Sequence, residues 1–207
     1  MSLEMIDLKV VNEQLKDKTP KEIVQWALEV ALKPVITTNF RPYEGSILHL
    51  VTSLNNEIEV IWCDTGYNTP QTYKHAEELI HKLQLNVQLY VPKQTVAHRN
   101  VTLGLPTVDD PNHAIFTEQV KLEPFKRAMR EHKPDVWFTN LRKGQTAFRD
   151  SIEVVSLSKD GIIKVSPFYH YTDKELDTYL EEFDVPNEFK YFDPTKVESN
   201  RECGLHI

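Results

Sequence analysis

The chain has 207 residues and a formal net charge of −7, with 40% hydrophobic and 10% aromatic residues. This length and composition fit one globular domain with a sizeable core, and they do not fit a disordered chain. No window approaches the roughly 18 consecutive apolar residues that a membrane span needs, and no apolar leader follows Met1, so we expect a cytoplasmic protein without membrane association. The acidic balance argues against broad nucleic-acid binding, which needs a basic face.

The cysteine and histidine content limits the cofactors. The sequence contains two cysteines, Cys63 and Cys203. Two cysteines exclude both a disulfide framework and a four-cysteine zinc or iron–sulfur site. The histidines are scattered without ligand spacing, so we expect no metal site. The common phosphate-binding and nucleophile-elbow glycine motifs are also missing from the sequence.

The first half of the chain alternates between strand and helix patterns. Thr19-Pro20-Lys21-Glu22 combines an N-cap, a first-turn proline and a capping-box glutamate, and it predicts a helix that ends before Pro34. We expect strands at 35–38, 57–63 and 87–91, with helices at 47–54 and 70–83. This order predicts an α/β fold in which a mostly parallel sheet is covered by helices on both faces.

The second half is less regular. Its prolines and glycines predict an irregular loop at 92–113, followed by a helix at 116–129 and a strand at 135–139. A hairpin is expected from 152–155 and 162–165, and a final helix from 172 to 183. Beyond Pro186 the sequence is polar and irregular. We therefore expect one α/β domain over residues 1–186 and a mobile C-terminal arm over 187–207.

Polar segments follow three predicted strands, at the edge where parallel sheets bind ligands. Thr37–Ser46 joins a strand to a helix, so helix N-terminal amides are a candidate anion site. Because Pro42 has no amide donor, the alternatives within this loop are Gly45-Ser46 and the charge of Arg41. Asp64–Tyr67 has two readings. One is a strand-ending turn with a capping Asp and a positive-φ Gly, and the other is a carboxylate and a hydroxyl that face a ribose or a base. Composition alone favours the turn.

The third polar segment, Asn140–Arg149, is basic. Arg142, Lys143 and Arg149 follow the fourth strand in a chain of net negative charge. Arginine binds phosphate and sulfate through two hydrogen bonds, and lysine adds a point charge. Lys121 and two arginines lie on the preceding helix, and only some of them can share a face with this loop. These residue types predict an anionic ligand, with a solvated loop as the alternative.

The two cysteines have different settings. Cys63 falls in an apolar strand and is expected to be a buried small hydrophobe. Cys203 lies in a polar tail between Arg201 and His206, whose positive charges favour a thiolate, whereas Glu202 opposes it. Cys203 is therefore a candidate nucleophile, and an incidental tail cysteine is the alternative.

Five motifs, in order from about Val11 to the end of the chain, resemble the phosphoadenosine phosphosulfate (PAPS) reductase family. They are Thr37-Thr38-Asn39-Phe40 with Leu48-His49-Leu50-Val51; Asp64-Thr65-Gly66-Tyr67 with Pro70, Thr72 and Tyr73; Lys121-Leu122-Glu123-Pro124 with Arg127-Ala128; Trp137-Phe138 with Leu141-Arg142-Lys143, Gln145 and Arg149; and Glu202-Cys203-Gly204-Leu205-His206.

The resemblance implies an adenine-nucleotide α-hydrolase-like fold and a homodimer. The implied reaction converts PAPS and reduced thioredoxin, or glutaredoxin, into sulfite and adenosine 3′,5′-bisphosphate. It implies that the Cys203 thiolate attacks the sulfonate sulfur and forms an S-sulfocysteine, with His206 in the same catalytic signature. Because Cys63 lies in a strand, an external dithiol is the expected reductant.

The resemblance also implies a set of substrate-binding residues around the phosphates, the sulfate and the nucleoside. They are Thr38, Asn39, Phe40, Arg41 and Ser46 in the first loop, Asp64, Thr65, Gly66 and Tyr67 in the second, Lys121, and Leu141, Arg142, Lys143, Gln145 and Arg149 in the basic loop. The related adenosine 5′-phosphosulfate (APS) reductases bind a [4Fe–4S] cluster through additional cysteines. Two cysteines favour the cluster-free type with no bound cofactor.

Two other functions remain open on the same fold. One is an adenylyltransferase or another nucleotide-handling relative that acts on ATP, which would need Mg²⁺ and would not need Cys203. The other is a non-catalytic nucleotide-binding protein with a vestigial tail. Replacing Cys203 with Ser discriminates among the three, because only a reductase loses its activity while it retains nucleotide binding.

Overall fold

The computed structural model describes residues 6–107 and 109–196, which contain a six-stranded sheet of order β3-β2-β1-β4-β6-β5. All neighbouring strands pair in parallel except β5 and β6, which are antiparallel. The mostly parallel sheet predicted from the sequence is therefore confirmed. The strands are β1 Pro34–Thr38, β2 Glu59–Cys63, β3 Asn86–Tyr90, β4 Val136–Phe138, β5 Val155–Leu157 and β6 Ile163–Val165.

Helices connect the strands and cover the sheet. A π-helical segment, Glu118–Leu122, joins α6 to α7 without a break. None of the helices in the described ranges has the length and apolar character that a bilayer crossing requires. The helices are α1 Leu8–Leu15, α2 Pro20–Val30, α3 Glu44–Leu54, α4 Pro70–Leu83, α5 Val96–Thr102, α6 His113–Thr117, α7 Glu123–His132, α8 Ala147–Asp150 and α9 Asp173–Glu182.

The two faces of the sheet bury separate cores. Side chains alternate along β1, so that Ile36 joins the larger core with residues of α2, α3 and α9, whereas Val35 joins a smaller core. Trp137 of β4 and Ala128 of α7 also belong to this second core, with Ile61 and Tyr90. Helices therefore lie on both faces, as the sequence predicts.

The strand order creates a crevice beside β1. From β1 the chain builds β2 and β3 on one side of the sheet and then crosses to β4 on the other side. The connections that leave β1 and β4 therefore diverge at the carboxyl ends of these two strands. Open α/β sheets bind ligands at such a switch point.

Several predicted element boundaries were wrong. The helix predicted over 116–129 begins at His113 and, through the π-helical segment, continues to His132. Helix α3 begins at Glu44, three residues earlier than expected, because the left-handed backbone of Tyr43 already starts the turn. The hairpin strand is Val155–Leu157 rather than 152–155. A tight turn over 158–161, with Gly161 at φ +78°, sets the pairing of Val155 with Val165 and so moves the strand toward the turn.

Helices α1, α5 and α8 were not predicted from the sequence. Helix α5 lies inside the segment 92–113 that was expected to be irregular, and the Thr95 hydroxyl caps it by accepting from the His98 amide. Helix α5 has only seven residues, and the prolines and the glycine around it made an irregular loop the expected structure. Helix α1 begins at the Asp7 cap and places only two buried residues, Val11 and Leu15, on the core.

Residues 187–196 pack against the domain, although the sequence placed them in the C-terminal arm. The Asn187 side chain accepts a hydrogen bond from the Tyr43 amide at 2.8 Å. The Lys190 carbonyl accepts one from the Thr69 hydroxyl at 2.7 Å. The rest of the predicted arm, 197–207, lies outside the described residues, and so do Cys203 and His206.

Candidate active site

A cleft with two connected parts opens at the carboxyl ends of β1, β2 and β4. Arg41, Asn140 and Lys196 line both parts. The inner part is also lined by Thr37, Thr38, Asn39, Glu44, Ile61, Cys63, Lys121, Phe125, Thr139, Leu141 and Arg149. The outer part is also lined by Pro42, Tyr43, Arg142, Gln145, Tyr191, Phe192 and Asp193. The cleft therefore occupies the switch point of the sheet.

The loop between β1 and α3 presents a cation to the cleft. The Arg41 guanidinium donates from Nε to Glu44 Oε1 at 2.8 Å and from Nη2 to the Asn140 carbonyl at 3.2 Å. These contacts hold the planar guanidinium beside the carboxyl end of β4. An anion in the cleft would meet a guanidinium that is already oriented.

Most backbone amides between β1 and the first turn of α3 make hydrogen bonds within the protein. Four of them donate to acceptors within the protein, and Pro42 has no amide hydrogen. These four amides are therefore already engaged, whereas the Arg41 side chain lines the cleft. The four amides are those of Phe40, Arg41, Tyr43 and Glu44.

Two predicted binding residues in this loop do not line the cleft. Phe40 is 1% exposed and packs edge-on against Trp62 with ring centroids 4.9 Å apart, so its side chain belongs to the core. Ser46 is fully buried in the first turn of α3 and donates its hydroxyl to the Tyr43 carbonyl. Both side chains support the loop from its buried side.

Lys121 projects into the inner part of the cleft from the π-helical segment. Its ammonium donates to Asp193 Oδ2 at 2.5 Å and to Thr195 Oγ1 at 3.3 Å. Burial alone would raise the pKa of Asp193, but the charge and hydrogen bond of Lys121 hold that pKa below its ordinary value. The two side chains form a buried ion pair between the middle of the chain and residues 187–196.

The basic loop after β4 contributes two arginines. Arg142 pairs with Asp173 at 2.6 Å and lies 5.2 Å from the centroid of the Tyr43 ring. Arg149 is buried, bonds to Gln145, and lines the inner part of the cleft. The buried Leu141 anchors the start of this loop in the wall of the cleft.

Lys143 does not reach the cleft, although the sequence grouped it with the neighbouring arginines. Its amide donates to the Tyr169 carbonyl at 2.8 Å, and its exposed side chain lies in a separate groove near α1. The left-handed Gly144, at φ +81°, turns the chain immediately afterwards. Adjacent cations in this loop therefore face different surfaces.

The turn Asp64–Tyr67 is built as a strand-ending turn. One carboxylate oxygen of Asp64 accepts from the Gly66 amide at 2.9 Å, and the Tyr73 hydroxyl donates to both oxygens at 3.0 and 3.1 Å. Gly66 has φ +80°, and a Cβ there would lie 2.5 Å from Val96. The turn lies next to Cys63 but does not line the two parts of the cleft defined above.

Cys63 is closer to the site than its sequence context suggested. It is the last residue of β2, and its side chain lines the cleft beside Lys121. Burial raises the pKa of the Cys63 thiol to about 12, although the charges of Lys121 and Arg127 oppose the rise. The thiol is therefore protonated and unreactive near neutral pH.

Several lining residues had no signal in the sequence. Asn140 directly follows the predicted fourth strand, so its place near the cleft could be inferred from the sequence. It carries no charge, however, that would mark it as a binding residue. Lys196, Tyr191 and Phe192 come from the predicted arm, where no periodicity places a side chain. The described ranges contain no cluster of three or more His, Cys, Asp or Glu side chains able to hold a metal ion.

The described lining of the cleft is positively charged. Its five cations face two lining carboxylates, those of Glu44 and Asp193. Asp173 pairs with Arg142 from outside the lining, which leaves an excess of two positive charges in a chain of net charge −7. Such a local field attracts an anionic ligand despite the overall charge. The cations are Arg41, Lys121, Arg142, Arg149 and Lys196.

Comparison with known proteins gives the family. Residues 33–191 match the model of the phosphoadenosine phosphosulfate reductase domain. The chain belongs to the PAPS reductase family. A PAPS reductase of Synechococcus sp. is 33% identical over 184 residues, which cover 86% of this chain and 78% of that protein. One from Vibrio atlanticus is 30% identical over 228 residues and covers 98% of this chain and 88% of that protein.

Solved structures agree with this membership in the PAPS reductase family. A PAPS reductase from Candida auris, solved as a phosphate complex, has a TM-score of 0.77 and 25% identity, with 88% of this chain and 90% of that chain covered. An FMN adenylyltransferase from Candida glabrata, solved with ATP, has a TM-score of 0.56 at 10% identity, over 86% of this chain and 58% of that chain. The second likeness shows the fold alone. The predicted adenine-nucleotide α-hydrolase-like fold is confirmed, and the chain is an oxidoreductase of this family.

The different directions of Arg142 and Lys143 can be tested by a matched pair of substitutions. We expect Arg142→Gln to raise the KM for the nucleotide substrate about 10-fold or more, because a charge-assisted hydrogen bond contributes about 1.5–3 kcal/mol. Lys143→Gln removes the same charge one residue away and should change KM less than about twofold. Steady-state kinetics of both variants provide the measurement, and equal effects would contradict the assignment.

Proposed function

We propose that this chain reduces PAPS to sulfite and adenosine 3′,5′-bisphosphate, with Cys203 as the nucleophile and a thioredoxin-type dithiol as the reductant. The observation that carries the proposal is the cleft with five cations at the switch point of a PAPS reductase fold. PAPS bears a phosphosulfate and a 3′-phosphate, so it needs several cations in one place. The cleft provides them in two connected parts.

The substrate-binding residues divide between the two parts of the cleft. In this proposal the phosphosulfate lies in the inner part, against Arg41, Lys121 and Arg149, with Thr38 and Asn39 beside it. The outer part offers the aromatic rings of Tyr43 and Tyr191 and the side chains of Arg142 and Gln145 to the nucleoside. We propose that Asp64, Thr65, Gly66 and Tyr67 support the end of β2 beside the substrate, and that Leu141 supports the basic loop.

The first chemical step transfers the sulfonate group. The Cys203 thiolate attacks the sulfonate sulfur, and the bond between that sulfur and the bridging phosphate oxygen breaks. The electron pair of the broken bond stays on the oxygen of the departing adenosine 3′,5′-bisphosphate. Arg41 and Arg149 stabilise the negative charge that develops there. The protein is left with an S-sulfocysteine.

The second step releases sulfite. A thiolate of the dithiol attacks Cys203 Sγ, sulfite departs with the electron pair, and a mixed disulfide forms. The second thiol of the reductant then resolves that disulfide and returns Cys203 to the thiol form. Cys63 does not replace the reductant in this scheme, because its pKa of about 12 keeps it protonated. His206 supports the Cys203 thiolate in its charged form.

The partners in this proposal follow from the chemistry. They are PAPS, thioredoxin or glutaredoxin as the dithiol, and a second copy of the chain, because the family resemblance implies a homodimer. No bound cofactor and no iron–sulfur cluster takes part, since two cysteines cannot ligate a cluster. A nucleophilic thiol that depends on a dithiol suits the reducing cytoplasm, where we place the reaction.

Product analysis tests the proposal. The purified chain, incubated with PAPS and reduced thioredoxin, should release one sulfite and one adenosine 3′,5′-bisphosphate for each PAPS consumed. APS in a parallel reaction measures the selectivity for the 3′-phosphate. Ion chromatography and nucleotide separation give both yields. Release of sulfite from neither nucleotide would contradict the proposed reaction.

A further inference from the structure

Residues 187–196, called here the wall segment, form one side of the cleft. Asn187 is tied to the Tyr43 amide and the Lys190 carbonyl to the Thr69 hydroxyl. Further along, Asp193 and Lys196 line the cleft itself. The wall segment is therefore attached at one end to the loops around the site and contributes charge to the site at the other.

The most buried attachment of the wall segment is the ion pair between Asp193 and Lys121. The two side chains are 4% and 6% exposed. The second oxygen of Asp193 accepts from the Thr195 amide at 3.0 Å and from the Thr195 hydroxyl at 2.6 Å. These contacts give the buried ion pair a defined geometry. Loss of one of its two charges would lower the free energy of unfolding, because the other charge would be left buried without a partner.

We propose that Asp193 is a positioning residue for the reaction, which holds the wall segment on Lys121 so that the chain leading to Cys203 departs from the edge of the cleft. The inference rests on the proposed function, because it takes Cys203 as the nucleophile. Cys203 is the tenth residue after Asp193, which gives a contour of at most about 35 Å. An anchor at Asp193 limits the volume that the thiol explores and so raises its effective concentration at the substrate.

The same ion pair makes a distinctive prediction for ligand affinity. Asp193 offsets one positive charge of the cleft, so its removal leaves the buried Lys121 available to an anionic ligand. Loss of a binding residue would weaken nucleotide affinity. Loss of this positioning residue instead slows sulfonyl transfer, while nucleotide affinity stays the same or increases.

The test compares rate and affinity in Asp193→Asn. Single-turnover sulfonation of Cys203 at saturating PAPS, followed by intact mass, should be at least about tenfold slower than in the unaltered chain. The Kd for adenosine 3′,5′-bisphosphate, from calorimetry, should be unchanged or lower. Asp193→Glu, which keeps the charge, should recover part of the rate.

The matched control is Asp184→Asn. Asp184 also pairs with a lysine, Lys82, at 2.6 Å, but its side chain is 95% exposed. The substitution is chemically identical and removes a surface ion pair of small energetic value. This variant should match the unaltered chain in both the sulfonation rate and the Kd.

A milder variant covers the case in which Asp193→Asn does not fold. Thr195→Val removes the hydroxyl's hydrogen bond to Asp193 and the one that it accepts from Lys121, and it leaves the ion pair in place. It should slow sulfonation about two- to fivefold with an unchanged Kd. A folded variant that is sulfonated at the original rate overturns the inference, and so does a slowing explained by weaker nucleotide binding. If the unaltered chain is not sulfonated on Cys203, the proposed function fails first and this inference with it.

Discussion

Cys203→Ser is expected to abolish turnover with PAPS and thioredoxin, a loss of at least about 10³-fold, because a serine hydroxyl does not ionise near neutral pH and cannot replace the thiolate. The variant should still bind adenosine 3′,5′-bisphosphate within about twofold of the original affinity, since the cations of the cleft come from other parts of the chain. Sulfite release and calorimetry measure the two quantities. This separation of turnover from binding is specific to a reductase.

Cys63→Ser is the control for that experiment. Cys63 lines the cleft, but the pKa of its thiol is raised to about 12 by burial, so it contributes little thiolate at neutral pH. The variant should keep most of its turnover. Loss of activity in Cys63→Ser with retention in Cys203→Ser would place the nucleophile on β2 and contradict the proposal.

Lys121→Gln should have the second large effect, on stability as well as activity. The substitution leaves the Asp193 carboxylate buried without its cation, which should lower the free energy of unfolding by about 3–5 kcal/mol. It also removes a cation from the inner part of the cleft, so kcat/KM should fall by about 10²-fold. Denaturant unfolding and steady-state kinetics give the two values.

The double variant Lys121→Gln with Asp193→Asn separates the two effects. With both charges removed, no ionised group of this pair is left buried, and most of the lost stability should return. The activity should not return, because the cation and the anchor are both missing. A double variant no more stable than Lys121→Gln alone would show that the two charges are not coupled.

The fold was predictable because its signals are local or periodic. Apolar strands such as β2 and the capping residues Thr19 and Glu22 were sufficient to place most elements. Helix α5 was missed because it is short and lies between prolines. The register of the hairpin was missed because the turn at Gly161 decides it, and the apolar pattern does not.

The candidate site was predictable in chemistry and less so in geometry. The residue types of the basic loop and of Lys121 are sufficient to indicate an anionic ligand. Arg142 and Lys143 face different surfaces because of the path that the chain takes after β4. Residue type alone does not determine that path. The pairing of Lys121 with Asp193 spans 72 residues, so no local pattern contains it. The internal hydrogen bonds of the amides before α3 likewise have no signature in the sequence.

The central claim is that Cys203 takes the sulfonate group from PAPS, and intact mass spectrometry tests it most directly. The reduced chain is incubated with PAPS in the absence of any dithiol, and a parallel sample is incubated with APS. The account predicts a gain of one sulfonate group with PAPS, located on Cys203, absent from Cys203→Ser and discharged by reduced thioredoxin. An unchanged mass with both nucleotides, or an adduct on another residue, would contradict it.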